Sequence, residues 1–584
     1  MAGSCIIHVL DIFISNSEFG RLILRIIKSL FSAATAAACA LTCLSVSAQT
    51  ILLVPQDNRP VSLAYTVSTA ERAGYQVLTP PESILSDSNY KGNADRVWSW
   101  VEDNISKSDA AILSTDTLIY GGLVDSRKHN ESLATLQSRE NRIELLHKNN
   151  PKIPLYGFGT IMRSPYASNS GVEPYYYGTY GTKIYQISIL QDKQDQGTIT
   201  DKEKAQLTSL KQSVPVEYLQ DWFDRRQKNN TINKELIQDV KNNTFTYFCL
   251  GHDDSSEYSQ SAMESRYLAK DAKGLKSTRY GSFPGADQLA LLLIARYYVD
   301  SNKLHPTFGV IYPLGRGEET VPSYESQPIG KTIKEHIEAV NGTITDNSNP
   351  DVLLAINTPL FNTKESGRFE NFSMKKQSTI DFTDSIKKYV DQGIPVSIVD
   401  VYFNNGSDNT LMGLLSENDL LYKVAAYNGW NTASNTIGYA IAQAILSPAM
   451  SEQGHKDMLI EQYLDNWAYQ ANVRKNLYRM ESSYPATGNQ KISLVIREEM
   501  VAELQDFAQK KMGLDPQTVY ADFPWGRFFE IHAYVSDTPS YEHILTLAEK
   551  QRIAEEEAKK KAEEAAAALE STEQPSQVVE VQWN

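Results

Sequence analysis

The stretch FCLGHDDSS, residues 248–256, sets two adjacent carboxylates, Asp253 and Asp254, directly behind an apolar run. Neighbouring residues at a strand end point in different directions, so the two acids can meet unlike surroundings and hold unlike pKa values. One can stay ionised while the other keeps its proton. This suits glycosidic bond cleavage, where one carboxyl group protonates the leaving oxygen and a second stabilises or attacks the anomeric carbon. With an N-acetylated sugar, one of the two acids would orient the substrate's own acetamido group. Direct attack instead needs a carboxylate about 5 Å away across the site, and Asp400 and Asp408 are the candidates. The expected catalytic set is therefore Asp253, Asp254 and Asp400.

The same atoms allow two other readings. His252, Asp253 and Asp254, joined by Asp57 or Asp400, offer mixed nitrogen and oxygen ligands for zinc or manganese in a metal-dependent hydrolase. However, the chain past residue 48 contains no HxH or HExxH pair, and no metal is assigned. A cleft built from these residues could also bind glycan without cleaving it.

These acids need elements to position them, and short apolar runs of strand length recur from Ile51 onward. They are ILLV at Ile51, YQVL at Tyr75, AAIL at Ala110, IPLYGF at Ile153, FTYFCL at Phe245, TFGVIY at Thr307, VLLAI at Val352, PVSIV at Pro395 and LYKVAAY at Leu421. Helical patterns such as SLAYTVSTAERAG and ADQLALLLIARYYVD lie between them. The alternation predicts an α/β protein with mainly parallel sheet, either one barrel-like unit or two doubly wound sheets. Ligands of parallel α/β folds bind at the carboxyl ends of the strands. That rule selects Asp57, Arg59, Asp116, Arg163, Asp408, Trp430 and Asn431 as substrate-binding residues. Each has a structural alternative: Asp57 opens a turn before Pro60, Asp116 caps a turn, and Thr432 caps the following helix.

Residues 164–243 interrupt the alternation with the tyrosine-rich YASNSGVEPYYYGTYG and charged helical sequence, as expected of a lid or helical insertion. Tyr175, Tyr176, Tyr177 and Tyr180 in it, with Tyr427 and Trp430, offer faces that pack on sugar rings. The α/β core is thus placed at 49–447, a mostly helical C-terminal unit at 448–547, and a charged helix with a disordered tail at 548–584.

Arg21, Arg25 and Lys28 precede a stretch rich in alanine and serine that ends Val46-Ser47-Ala48, the pattern of a signal peptide over 1–48. The chain is then exported, periplasmic or extracellular, with no membrane span after cleavage. Cleavage removes Cys5, Cys39 and Cys43 and leaves Cys249, which sits in an apolar run as an inert core thiol. The 584 residues are 41% hydrophobic and 22% charged, an ordinary globular composition, and exceed what one core usually serves. A net charge of −15 without a basic cluster argues against nucleic acid. No GxGxxG or Walker motif follows a strand, so no cofactor is expected and the partner is a carbohydrate substrate.

The motifs PQDNRPVS, DTLIYGGLVDSR, GHDDSS, PGADQ, AAYNGWNTASNTIG and FPWGRFFE together resemble a bacterial family known as domain of unknown function 4127. The resemblance covers about Ile51 to Glu530 and implies one evolutionary piece without supplying a reaction. It marks Asp57, Arg59, Asp116, Tyr120, Arg127, Arg163, Asp253, Asp254, Asp287, Asp400, Asp408, Trp430, Asn431 and Asn435 as motif positions. The glutamine of PQDNRP and the histidine before Asp253 depart from the usual pattern.

Overall fold

A computed structural model describes residues 48–536, except 167–170, 315–316, 360–362, 368 and 487–490. The expected signal peptide, up to residue 47, and the charged helix and tail of 548–584 lie outside the described residues.

The apolar runs form strands. β1 (Thr50–Val54), β2 (Gln76–Leu78), β3 (Ala110–Ser114), β4 (Leu155–Ile161), β5 (Tyr247–His252) and β6 (Tyr280–Pro284) make one sheet in the order β2-β1-β3-β4-β5-β6. β7 (Thr307–Ile311), β8 (Thr343–Ile344), β9 (Val352–Asn357), β11 (Val396–Asp400) and β13 (Ala426–Asn428) make a second, in the order β13-β11-β9-β7-β8. All pairings within both sheets are parallel. Each sheet is therefore open and doubly wound, not a barrel. Each also carries the flavodoxin-like order in which its second strand lies outside its first and the winding direction then reverses. Two short pairs complete the strands: β10 (Lys364–Glu365) with β12 (Phe403–Asn404), and the antiparallel β14 (Val519–Asp522) with β15 (His532–Val535).

Helices cover both faces of each sheet, so the central strands are buried, Thr50 at the start of β1 excepted, and read as mostly apolar runs. Between the sheets, helix Leu289–Ser301 packs on β3 and β4, while helix Ala433–Leu446 packs on β9, β11 and β13. These two helices also pack on each other. Because they are covered on all sides, they are apolar all round rather than amphipathic. One hydrophobic cluster runs from Ile51, Ile112 and Phe158 through both helices to Leu354, Ile356 and Val399. Each such side chain removed from water contributes about 1.5–3 kcal/mol, so this shared layer holds the sheets in register with each other. Cys249 is fully buried in β5, and burial pushes its thiol pKa up.

The sequence reading missed the short strands β8, β10, β12, β14 and β15, and two further assignments differ from it. β6 escaped it because an edge strand of sequence YGSFP, half-buried over its first three residues, has too few apolar side chains to register as a run. Conversely, only the last two residues of LYKVAAY are strand, in β13, which runs on to Asn428. Between β4 and β5 lie helices Tyr177–Asp195, Asp201–Gln212 and Val216–Lys241, which enclose a small core of Tyr176, Tyr177, Ile184, Ile187 and Trp222. After Ser447, an eleven-residue π-helix, Tyr463–Val473, and helix Leu494–Phe507 share a core with the outer face of the second sheet. No helix among the described residues is long and apolar enough to cross a membrane.

Candidate functional site

The carboxyl ends of both sheets open on one cavity of about 500 Å³, within the range of small-molecule sites. Loops after β1, β4, β5 and β6 bring Arg59, Arg163, His252–Asp254 and Gly285–Asp287; the region after β3 brings Arg127. From the second sheet come Asn405, Asn431 and Asn435, and Trp525, Arg527 and Phe529 close the wall from the segment before β15.

The ionic groups are locked together. Arg59 donates through Nε to Asp57 Oδ2 at 2.8 Å and through Nη2 to Asp287 Oδ1 at 2.6 Å. Asp57 is fully buried and also accepts the Arg59 amide at 3.0 Å, so it aims the arginine from behind the cavity wall. Asn431 Nδ2, on a left-handed residue, donates to the other Asp287 oxygen at 2.9 Å. Asn435 Oδ1 accepts the amides of Ala286 and Asp287, both at 3.1 Å. The loop after β6 is thus held by three residues of the second sheet's loops and of the first strand's motif.

On the opposite side, Arg127 donates Nε and Nη2 to Asp253 Oδ2 at 3.0 and 2.6 Å. Arg163 donates Nη1 to Asp254 Oδ2 at 2.8 Å and Nε to Glu173 at 2.6 Å. Arg226, buried in helix Val216–Lys241, donates to the carbonyls of Met162 and Arg163 at 2.7 and 2.8 Å. The insertion therefore fixes the end of β4 and supplies Glu173. Asp253 is nearly closed off, with 7% of its side chain exposed, whereas 26% of the Asp254 side chain is exposed. Burial nonetheless raises the Asp254 carboxyl above its ordinary value, with the Arg163 charge pulling it down and the Asp253 charge adding to the rise. The two neighbouring acids do sit in unlike surroundings.

His252 pairs through Nε2 with the Ser282 hydroxyl at 2.9 Å, and burial lowers its pKa to about 3, so the ring is neutral. Among the described residues, no group of three or more His, Cys, Asp or Glu side chains is placed to hold a metal ion.

Several expected site residues lie elsewhere. Asp400 does not face Asp253 and Asp254: it is fully buried at the end of β11, where it accepts bonds from Asn357 (2.8 Å), the Asp408 amide (2.8 Å) and Tyr427 (2.9 Å). Asp408 caps helix Asn409–Glu417 by accepting the Thr410 amide at 2.9 Å. Asn357 Nδ2 also donates to Asp408 Oδ2 at 3.3 Å, so the two acids tie the loop of the second sheet together. Asp116 is buried under the site, bonded by Thr160 Oγ1 at 2.7 Å, and burial pushes its carboxyl up to about 7. Trp430 is buried and packs behind Phe529 at 6.0 Å between ring centroids. The insertion's tyrosines do not reach the wall: Tyr176 stacks on Tyr218, and Tyr177 bonds the Pro165 carbonyl. Tyr427 is likewise internal. Thr432 stands at the helix N-cap without a capping bond; Glu325 instead accepts the amide and hydroxyl of Ser434 at 2.5 and 2.7 Å.

The cavity's own aromatic wall is Trp525 and Phe529, with Tyr324 and Tyr478. Trp525 donates its indole N–H to Asn58 at 2.7 Å, and the guanidiniums of Arg59 and Arg527 lie 5.6 and 4.8 Å from its ring. Arg127, Asp287, Trp525, Arg527 and Phe529 were not selected as site residues from sequence. Their signal was present in the motifs DTLIYGGLVDSR, PGADQ and FPWGRFFE, but the last two follow no recognisable apolar run and Arg127 lies at the far end of the motif that follows AAIL.

Fold and site together define a two-sheet, doubly wound α/β protein with a polar cavity where the strand ends of both sheets converge. The family of proteins of unknown function designated DUF4127 matches residues 51–533, and the chain belongs to it. No curated protein and no solved structure matches the chain significantly.

Proposed function

We propose that the protein hydrolyses a glycosidic bond in a hydroxyl-rich substrate held in this cavity. The observation that carries the reading is that every cavity arginine is already matched by a carboxylate. Arg59 pairs with Asp57 and Asp287, Arg127 with Asp253, Arg163 with Asp254 and Glu173, and Arg527 with Glu530. Such walls hold little unmatched charge for a polyanion, yet they alternate strong donors and acceptors. A sugar hydroxyl both donates and accepts, so it fits between them. Phe529, half-buried in the wall, adds a flat apolar face for the ring.

In this proposal Asp254, the more open of the neighbouring pair and raised by burial above its ordinary value, gives its proton to the leaving glycosidic oxygen as the C–O bond breaks. Asp287, from the β6 loop, takes the place foreseen for Asp400. It supports the positive charge developing at the anomeric carbon and accepts a proton from the water that completes hydrolysis. Arg59 and Asn431 hold it in place, and Arg127 holds Asp253. Export, expected from the N-terminal sequence, suits a periplasmic or extracellular glycan.

Turnover of aryl glycosides and polysaccharides by the full chain tests the reading, with Asp254→Asn expected to lower it about 10²–10⁴-fold. Full activity in that variant would remove Asp254 from the mechanism. A second reading, glycan capture without cleavage, is favoured by the fixing of Asp253 through two bonds to Arg127. It predicts heat of binding in calorimetry and no product by chromatography.

A further inference from the structure

A second cavity, of about 630 Å³, adjoins the first and shares Val124, Val172, Trp525 and Arg527 with it. The Arg527 side chain, 29% exposed, stands in the wall common to both. The second cavity differs in its charge. Lys91 pairs with Glu131 at 3.1 Å, whereas among the described residues Lys128 donates to the Gly171 carbonyl at 2.7 Å and Lys491 to the Ser88 hydroxyl at 2.9 Å. Neither forms an ion pair among the described residues. The nearby acids are engaged with backbone: Asp87 accepts the amides of Asn89 and Tyr90 at 2.5 and 2.7 Å, and Asp125 accepts the Gly92 amide at 3.0 Å. Tyr90, 72% exposed, offers a flat face at the same rim.

One cavity whose arginines all sit in ion pairs, next to another with two ammonium groups outside any ion pair among the described residues, although Lys128 still acts on the Asp125 charge, is an asymmetric pair. We infer that the substrate is an oligosaccharide whose chain passes Arg527, with the cleaved bond in the first cavity and a unit bearing an anionic substituent in the second, facing Lys128 and Lys491. The inference rests on the glycosidase reading and names its substrate class. A carboxylate and a sulfate share the required chemistry, since each presents acceptor oxygens and a negative charge to an ammonium. Trp525, a buried lining residue of both cavities, backs the crossing point, with the Arg527 guanidinium 4.8 Å from its ring.

An array of neutral, carboxylated and sulfated oligosaccharides of graded length, probed with the full-length Asp254→Asn variant, tests it. Retention confined to acidic oligomers is the expected result, and whichever acid is retained identifies the substituent. The double variant Lys128→Gln/Lys491→Gln, made in the Asp254→Asn chain, should then lose about tenfold in affinity for those oligomers, or about 1.4 kcal/mol. Retention of neutral oligomers or single sugars, or unchanged affinity in the double variant, overturns the inference while leaving the glycosidase reading in place. Binding to no sugar of any kind overturns both.

Discussion

Arg59 and Asp287 stand 228 residues apart in sequence and meet at 2.6 Å, joining the first strand's motif to the loop after the last strand of the same sheet. Asn431, from the second sheet, bonds the other oxygen of the same carboxylate. One side chain thus couples three loops around the cavity. Breaking a buried ion pair by removing one partner costs about 3–5 kcal/mol. Because Asp57 still holds Arg59, Asp287→Ala is expected near the lower end, with turnover lost in the molecules that remain folded. Denaturant unfolding and turnover per folded molecule check this. A variant as stable and as active as the parent contradicts the coupling.

Asp254 sets the expected pH profile. Its carboxyl is raised by burial, and a general acid works only while protonated. Turnover should therefore fall as pH rises through the raised value. Asp254→Asn should lose about 10²–10⁴-fold in kcat and abolish that limb of the profile, while its circular dichroism stays that of the parent. Persistence of the same alkaline limb in Asp254→Asn would assign it to another group.

Asp400 offers the contrasting case. Burial pushes it up to about 7, so the folded chain binds its proton more tightly than the unfolded chain does. Between about pH 4 and 7 the folded state therefore holds more protons, and stability must fall as pH rises through that window. Asp116, Glu325 and Asp465, each pushed up to about 7 by burial, act in the same direction. Asp400→Asn is expected to flatten the slope and to cost about 1–3 kcal/mol from imperfect bonding to Asn357, Tyr427 and the Asp408 amide. Its turnover per folded molecule should stay within about threefold of the parent. A loss as deep as that of Asp254→Asn would restore Asp400 to the catalytic set.

These two aspartates show what was readable in the sequence. Both follow apolar strands, and the strand-end rule selects both equally. That rule depends only on the period and length of the apolar runs, which is why eight of the nine runs yielded strands largely as expected and the parallel α/β class was legible. Whether a strand-end acid faces ligand or loop amides depends on where the chain goes next. After β5 it passes into the open cavity, whereas after β11 it folds back so that the amide of Asp408 reaches Asp400. Sequence distance conveys nothing of that. Asp287 failed for another reason: its strand is an edge strand whose half-buried residues need little apolar surface, so the rule had no run from which to start. The tyrosines of the insertion misled because aromatic side chains serve a small helical core as readily as a sugar face, and here Trp222 and Tyr218 claim them.

Arg226 connects the insertion to the site without touching the cavity. Its guanidinium is buried and bonds both oxygens of Glu264 at 2.8 Å as well as the carbonyls of Met162 and Arg163. Lysine keeps the charge but cannot reach these partners together, because a single ammonium replaces the planar fork. Arg226→Lys is expected to cost about 2–4 kcal/mol and to raise KM more than it lowers kcat, since Arg163 is displaced with the carbonyl that anchors it. A fall in apparent kcat at unchanged KM would point to global unfolding instead, which thermal melts resolve.

Gly251, the residue before His252, tests how closely the two acidic loops are packed. A Cβ placed there would lie 2.2 Å from the Gly285 carbonyl oxygen and 2.8 Å from a Leu289 methyl. The Gly285 oxygen belongs to backbone already fixed by the Gly285 amide bonding the His252 carbonyl at 2.9 Å, and Gly285 itself has a φ of +106° that other residues adopt with strain. Neither side can give way without moving the segment that carries Asp253 and Asp254 or the one that carries Asp287. Overpacking of this kind costs about 1–3 kcal/mol, but a displacement of about 1 Å at reacting groups can cost about 10²-fold in rate. Gly251→Ala should therefore fold, melt a few degrees below the parent and lose far more turnover than its stability loss explains. Parental turnover in a stably folded Gly251→Ala chain would mean that the spacing between the β5 and β6 loops does not govern the chemistry, and that Asp254 and Asp287 do not act on the same bond.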